Sequence, residues 1–344
     1  MSGGAFGAIA FIHCINFVSS VAAVETPGRY EFESKHMGTT FRVVLYAPAR
    51  PTAERAAKAV FARVAELERV MSDYDARSEL MRLCRTNDAA PGKPIPVSKD
   101  LFEVLRKARE VSLKSGGAFD VTVGPLVRLW RLARRTQQLP DPKELADAKK
   151  KVGYEKVVLD AKKRTVTLTV PGMRLDLGGI GKGFAADEGL AVLRQHGITR
   201  ALVAASGDIA VGDPPPDTAA WVVEIAPLSE GTPTRRVKLA NAAVSTSGDL
   251  YQFVEIGGVR YSHVLDPRTG LGLTGRRSVT VIARRGVQAD SLSKAASVLP
   301  PEKALTLIDS IDEAAAYIAV KESDDAKVKI TASKRFADFL VPLK

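Results

Sequence analysis

Apolar and polar residues alternate through "YEFESKHMGTTFRVVLYAP", residues 30–48. A period of two predicts a long strand or a strand pair. The period then changes. From Thr52 to Met71, apolar side chains fall at Ala57, Val60, Phe61, Val64, Leu67 and Met71, which is one face of a helix. "MSDYDARSELMRL" follows and reads as a polar loop. Ser98 stands where an N-cap is needed before a second stripe, Leu101, Val104, Leu105, Ala108 and Val111, and Gly116 and Gly117 end it. "KVVLDAKKRTVTLTV" predicts a hairpin around a basic turn, and Gly183 to His196 a helix stopped by Gly197. "RALVAASGDIAVG", "AWVVEIA", "RYSHVLD", "SVTVIA" and "AAAYIAV" are strand-like, with a further helix expected near Ala289 to Leu299. No repeat appears, and the most loop-like stretch, "GDPPPDTAA", is too short for a domain linker. The pattern predicts one α+β domain over residues 25–344, with helices packed on a largely antiparallel sheet.

Composition adds little to the fold and more to the setting. The chain has 344 residues, 45% of them hydrophobic, enough to bury a core without staples. Its two cysteines, Cys14 and Cys84, make no disulfide framework, and no Cys/His zinc spacing exists. Residues 1–24 read as a signal peptide: no charge occurs from Ala5 to Val24, and "SSVAAVET" offers small residues for cleavage. His13, Cys14 and Asn16 interrupt that run, which argues against a permanent span, and no later stretch is long and apolar enough to cross a bilayer. An exported protein, periplasmic or associated with the cell envelope and not integral to the membrane, is expected. The net charge is +11. No groove-reading or base-stacking motif accompanies it, so nucleic acid is not the expected partner. A basic surface also attracts a polyanion such as a dinucleotide.

Several short segments can carry chemistry. "LDLGGIGKGFAAD", Leu175 to Asp187, is rich in glycine but is not a phosphate loop. Asp176 stands where that motif has its first glycine, and Gly183 where it has Ser or Thr. What remains is a glycine cluster before a helix, whose N-terminus favours an anion, with Lys182 adding charge; a tight strand-to-helix turn fits the stretch equally. "SGGAFDVTVGPL", Ser115 to Leu126, reads as a second glycine turn, from a helix end into a strand. There Phe119 and Asp120 are either a ring contact beside a hydrogen-bonding carboxylate, or a core ring beside a turn cap. Asp208 in "SGDIAVG" and Asp249 in "STSGD" sit in turns and read as structural. In "YSHVLDPRTG", extended geometry puts Tyr261, His263 and Leu265 on one face, while Asp266 opens a turn with Pro267. His263 is then either a core histidine or a general base at the rim of a site. Asp290 and Lys294 are spaced i and i+4 and pair on one helix face.

In this order, "MGTTF", "MSDYDARSEL", "SGGAFDVTVGPL", "LDLGGIGKGFAAD", "STSGD" and "YSHVLDPRTG", with "ADSLSKA" as a less faithful seventh, resemble the FAD:protein FMN transferase family, the ApbE type. The resemblance runs from His36 to about Leu299. It implies a layered, T-fold-like α+β architecture. It also implies binding of FAD and Mg²⁺, and transfer of FMN to a Ser or Thr hydroxyl of a target protein with release of AMP. The target would be a membrane or exported redox protein. Met37, Tyr74, Ala118, Phe119, Asp120, Asp176, Lys182 and Leu265 match positions that contact FAD. Gly179 matches the carbonyl that reaches the metal, Asp290 a carboxylate metal ligand, and His263 the histidine that deprotonates the acceptor hydroxyl. Three positions depart from the family. Ser206 precedes Gly207 and Asp208 where a second glycine is usual, Ala204 stands near a usual Asn, and Lys294 replaces the Thr of the metal pair. An ammonium cannot coordinate magnesium, so an altered Mg²⁺ dependence is expected, with Lys294 partly standing in for a cation; the alternative has Lys294 pointing away. Two rival readings follow: an FAD pyrophosphatase, and a non-catalytic flavin-binding protein.

Overall fold

The alternating N-terminal stretch forms a hairpin, β1 (Gly28–His36) and β2 (Thr39–Ala47), in a computed structural model of the chain. The structure describes residues 1, 26–225, 227–228, 234–248, 252–323 and 326–342. The predicted leader, Cys14 and Asp249 lie outside the described residues. Met37 and Gly38 make the hairpin turn with φ of 48° and 71°, the two positive values that a tight two-residue turn requires.

The helix after the hairpin is α1 (Arg50–Met71), as its stripe predicts. The loop expected next is short. Ser78 caps α2 (Glu79–Ala89) by accepting the Met81 N–H at 3.0 Å. Leu80, Leu83, Cys84 and Asn87 make the buried stripe there, a pattern that the polar residues between them obscured. A short strand β3 (Ile95–Pro96) leads to α3 (Lys99–Lys114), capped by Ser98 through the Leu101 N–H. The glycine turn after α3 does not enter a strand. It enters α4 (Gly124–Thr136), with only a bridge from Val123 to Arg174. Pro125 in the first turn sets the helical φ without losing a hydrogen bond. Then come α5 (Pro142–Lys149) and the predicted hairpin, β4 (Val157–Asp160) and β5 (Thr165–Leu168).

The second half builds most of the sheet. It runs α6 (Gly181–Gln195), β6 (Ala201–Ala205), β7 (Asp208–Val211), β8 (Trp221–Ile225), β9 (Arg235–Leu239) and β10 (Ala243–Gly248). A hairpin and short strand follow as β11 (Phe253–Ile256), β12 (Val259–Leu265) and β13 (Gly272–Thr274). The chain closes with β14 (Arg276–Ala283), α7 (Gly286–Val298), α8 (Pro301–Asp309), β15 (Ala315–Lys321) and β16 (Lys329–Ala332). Among the described residues, eight strands form one antiparallel sheet in the order β1-β2-β6-β7-β10-β14-β15-β16.

Period-two alternation decides which side each strand residue serves. Phe41, Val43 and Leu45 face the main core with α1, α6 and α7, and Val44 faces the other side. On β14, Val279 and Val281 take the first side and Ile282 the second. The β8–β9 hairpin covers that second side with Trp221, Val223, Val237 and Leu239. The β11–β12–β13 sheet packs separately on α4 through Trp130, Val254, Ile256 and Tyr261. This is the predicted α+β arrangement of helices on antiparallel sheet.

Candidate functional site

Helices α6 and α7 meet at glycine. A Cβ on Gly183 would lie 2.1 Å from the Gly286 carbonyl oxygen and 2.7 Å from the Asp290 Cβ, so no other residue fits. Asp187 of α6 accepts the Gly286 and Val287 N–H groups at 2.8 and 3.0 Å, capping α7 from its neighbour. The close approach brings Lys182 and Lys294 to one place.

There they meet two buried carboxylates. Lys182 Nζ contacts Asp208 Oδ2. Lys294 Nζ lies 3.1 Å from Asp290 Oδ1, and the Gly183 N–H donates to Asp290 Oδ2 at 3.0 Å. Asp290 is 0% exposed, so the carboxylate of the pair predicted on a helix face is inside the protein. A hydroxyl chain joins the two ion pairs. Ser245 donates to Asp208 Oδ1 at 2.6 Å, Ser245 Oγ is 3.0 Å from Ser293 Oγ, and Lys294 donates to Ser293 Oγ at 3.1 Å. Burial works against the Asp208 carboxylate. The Lys182 and Lys294 ammoniums and the Lys182 and Ser245 hydrogen bonds outweigh it and hold its pKa below the usual range. Burial likewise opposes the Lys182 charge, and Asp208 and Asp290 outweigh it, so that pKa is raised.

His263 stands beside this cluster on β12. The β12–β13 ladder is irregular between Tyr261 and Leu265, and such irregularities re-aim side chains at sheet rims. Tyr261 and Leu265 pack into the small cluster on α4, sharing a face as alternation predicts, while His263 between them is half-buried. Its Nδ1 lies 3.2 Å from the Gln252 carbonyl oxygen. Burial, and then the Lys294 charge, push its pKa down to about 4, with Arg134 and Lys182 adding to the effect and the Gln252 carbonyl opposing it. A neutral ring that donates Nδ1–H to Gln252 leaves Nε2 as a proton acceptor. Asp266 is not its orienter. It accepts the Arg268 N–H and side chain at 2.9 Å and closes the turn.

A second group forms the outer rim. Arg131 of α4 binds Asp73 at 2.6 Å and Asp176 at 3.3 Å. The Tyr74 ring lies over its guanidinium, 4.1 Å to the centroid, and Tyr74 is 79% exposed. Burial, then the neighbouring Asp73, raise the Asp176 pKa against the Gly178 N–H and Arg131. Asp176 Oδ1 accepts that Gly178 N–H at 2.7 Å, which ties the rim to the glycine loop. Arg131 also walls a cleft of about 940 Å³ with Arg134 and Arg135 on one side and Phe253, Val254 and Glu255 on the other.

The ApbE family pattern matches residues 37–318. The chain belongs to the ApbE family. It is 33% identical over 316 residues to the FAD:protein FMN transferase of Klebsiella pneumoniae (strain 342), covering 90% of this chain and 89% of that one. It is 36% identical over 290 residues to that of Treponema pallidum (strain Nichols), covering 79% of each. The solved flavin transferase ApbE from Vibrio cholerae superposes with a TM-score of 0.80 at 28% identity, over 91% of this chain and 100% of the other.

Of the positions matched to the ApbE family, the fold gathers Gly179, Lys182, Asp290, Phe119 and His263 around Lys294, which departs from the family pattern. A Cβ on Gly179 would lie 3.1 Å from the Lys294 Cγ and 3.2 Å from the Phe119 ring. Phe119 is only 6% exposed and belongs to the main core. Ala118 is buried beside it. Asp120 has both oxygens occupied within the protein, by the Thr122 N–H and hydroxyl and by the Tyr154 N–H, all within 2.8 Å. It holds the turn into α4. Met37 stands at the hairpin turn, its N–H donating to Glu68 near the end of α1 at 2.8 Å. Sequence reasoning missed Asp73 and Arg131, and took Asp208 as a turn residue. Arg131 had no signal, because an arginine among the other basic residues of a helix looks like surface.

The Mg²⁺ that the ApbE family implies finds a poor donor set here. Asp290 has one oxygen on an ammonium and the other on a backbone N–H. No cluster of three or more His, Cys, Asp or Glu side chains that could hold a metal exists among the described residues. Magnesium favours several oxygen donors in octahedral array.

Proposed function

We propose that this chain cleaves FAD and attaches FMN through a phosphoester to a Ser or Thr hydroxyl of a target protein, releasing AMP. Family membership and the names of its relatives support the reaction class. The observation that carries the chemistry is His263: a neutral imidazole, its Nδ1 at the Gln252 carbonyl, beside two fixed ammoniums.

The acceptor hydroxyl gives its proton to His263 Nε2 as its oxygen bonds to the FMN phosphorus. The phosphorus–oxygen bond to the AMP phosphate breaks, and AMP leaves with the electron pair. Lys182, in the first turn of α6, draws the diphosphate to the helix N-terminus. The Tyr74 ring, exposed over Arg131, offers a flat apolar surface to the isoalloxazine. The arginine-lined cleft beside β11 gives an anionic acceptor segment a way in. No step of this scheme is routed through Mg²⁺, because the Asp290 carboxylate is already paired with Lys294.

The uncharged apolar start of the chain supports export, with removal of Met1 to about Ala23, and hence an exported or membrane acceptor. No described helix is long and apolar enough to cross a membrane. Intact mass of protein recovered from the cell envelope checks the cleavage, and a chain still beginning at Met1 refutes it. The reaction is tested with FAD and candidate exported redox proteins. Flavin fluorescence on an acceptor band after denaturing electrophoresis is the expected result. Free FMN and AMP with no labelled protein would make the chain a pyrophosphatase instead.

A further inference from the structure

The inner cluster contains its own cations. Lys182 and Lys294 balance Asp208 and Asp290, so the four side chains are neutral as a set. With threonine at position 294 the same set would carry one net negative charge, and a divalent ion would be drawn in. Here it would have to displace an ammonium from a fully buried carboxylate and then sit beside it. Lys294 is also well placed to act outward. Two of its ammonium donors go to Asp290 and Ser293, and an ammonium has three. Its side chain is 18% exposed. Its stem passes Gly179, and its charge is felt at both Asp208 and His263. It therefore stands between the glycine loop and the base. A lysine meets phosphate as a point charge without a coordination geometry to satisfy.

We infer that the Lys294 ammonium is the resident cation of this site, and that the chain holds the diphosphate of its dinucleotide through Lys182 and Lys294 without a divalent metal ion. The inference rests on the FAD reading of the site and goes beyond it. It separates this chain from any arrangement in which a metal bridges Asp290 and the diphosphate. It also gives the neutral His263 a fixed charge next to it, present whatever the metal concentration.

FAD binding, followed by flavin fluorescence, is measured in EDTA and in millimolar Mg²⁺ for wild type, Lys294→Thr and Lys294→Gln. Mn²⁺ binding to the FAD-free proteins is followed by electron paramagnetic resonance. Wild type is expected to hold FAD equally in both buffers, within about twofold, and to bind no Mn²⁺. Lys294→Thr is expected to lose roughly tenfold or more in EDTA, the scale of one charge-assisted hydrogen bond. It should recover in Mg²⁺ and bind Mn²⁺. Lys294→Gln keeps a donor toward Asp290 without the charge, and should show the same loss in EDTA if the threonine variant does not fold. Wild-type binding that is at least about tenfold tighter with Mg²⁺, or Mn²⁺ bound to wild type, overturns the inference and leaves the FAD reading standing. So does a variant that folds and holds FAD in EDTA as well as wild type. No FAD binding by wild type in either buffer brings down the FAD reading, and this inference with it.

Discussion

In the inner cluster Asp290 is 0% and Asp208 3% exposed, whereas at the outer rim Tyr74 is 79% exposed above Arg131. Both regions set positive charge against two aspartates, two lysines in the inner cluster and Arg131 alone at the rim. The inner one is set on two helices locked together at Gly183 and Gly286, and its carboxylate oxygens meet partners within the protein. The rim is built from two loops and one face of α4, and leaves an aromatic ring uncovered. The difference separates two tasks. Buried, mutually satisfied charges are preorganised and change little when a ligand arrives. An exposed ring on a fixed guanidinium gains contact area only when something planar lands on it. The inner region should therefore govern chemistry and stability as well as hold the diphosphate, whereas the rim should govern affinity alone.

The largest expected effect tests the base at the inner edge. His263→Gln should lower FMN transfer roughly 10²–10⁴-fold while FAD still binds; single-turnover transfer and flavin fluorescence read the two halves. Equal transfer would make His263 structural. Next is Asp208→Asn, which puts a neutral amide at a buried position and leaves the half-buried Lys182 without its carboxylate. Breaking a buried pair from one side costs about 3–5 kcal/mol, visible as a lower denaturant midpoint. An unchanged midpoint would show that the inner cluster does not hold the fold. Phe119→Ala should cost about 3–5 kcal/mol as well, because the ring lies in the main core. Its turn position alone would suggest a larger effect on FAD than on folding, and thermal melts without ligand decide between the two.

Tyr74→Ala should act in the opposite way. Stacking on an aromatic ring is worth about 1–3 kcal/mol, so FAD should bind more weakly with no loss of melting temperature. A clear drop in melting temperature would erase the contrast between rim and interior. The smallest effect is on pH. The folded His263 titrates near 4 against an ordinary 6.5, so the unfolded chain binds more protons between those values. Stability contributed by the neutral ring is complete above about 6.5 and is lost as pH falls to about 4. His263→Gln should flatten that part of the stability profile. In wild type the acid limb of kcat/KM from this residue should lie near 4, and a limb near 6.5 would mean a solvated imidazole.

Much of the fold was legible along the chain. The stripes of α1, α3 and α6, the first hairpin and most of the sheet strands were read from period and caps, because local spacing decides them. Helices α2 and α4 were not. The first is split by polar residues, and the second follows a glycine turn that was read as entering a strand. At the site, the resemblance pointed to His263, Lys182, Gly179, Asp290 and Lys294, and the i,i+4 spacing on a helix made the last two neighbours. It could not say that this neighbourhood is buried. Burial comes from α6 and α7 touching at Gly183 and Gly286, a contact between segments about a hundred residues apart. The same is true of Asp208, a turn residue in sequence and the partner of Lys182 in space, and of Arg131, which reaches Asp73 and Asp176 from another helix. Spacing within a segment fixes which side chains share a face. Only the packing of distant segments decides which charges lose their water, and so which become a site.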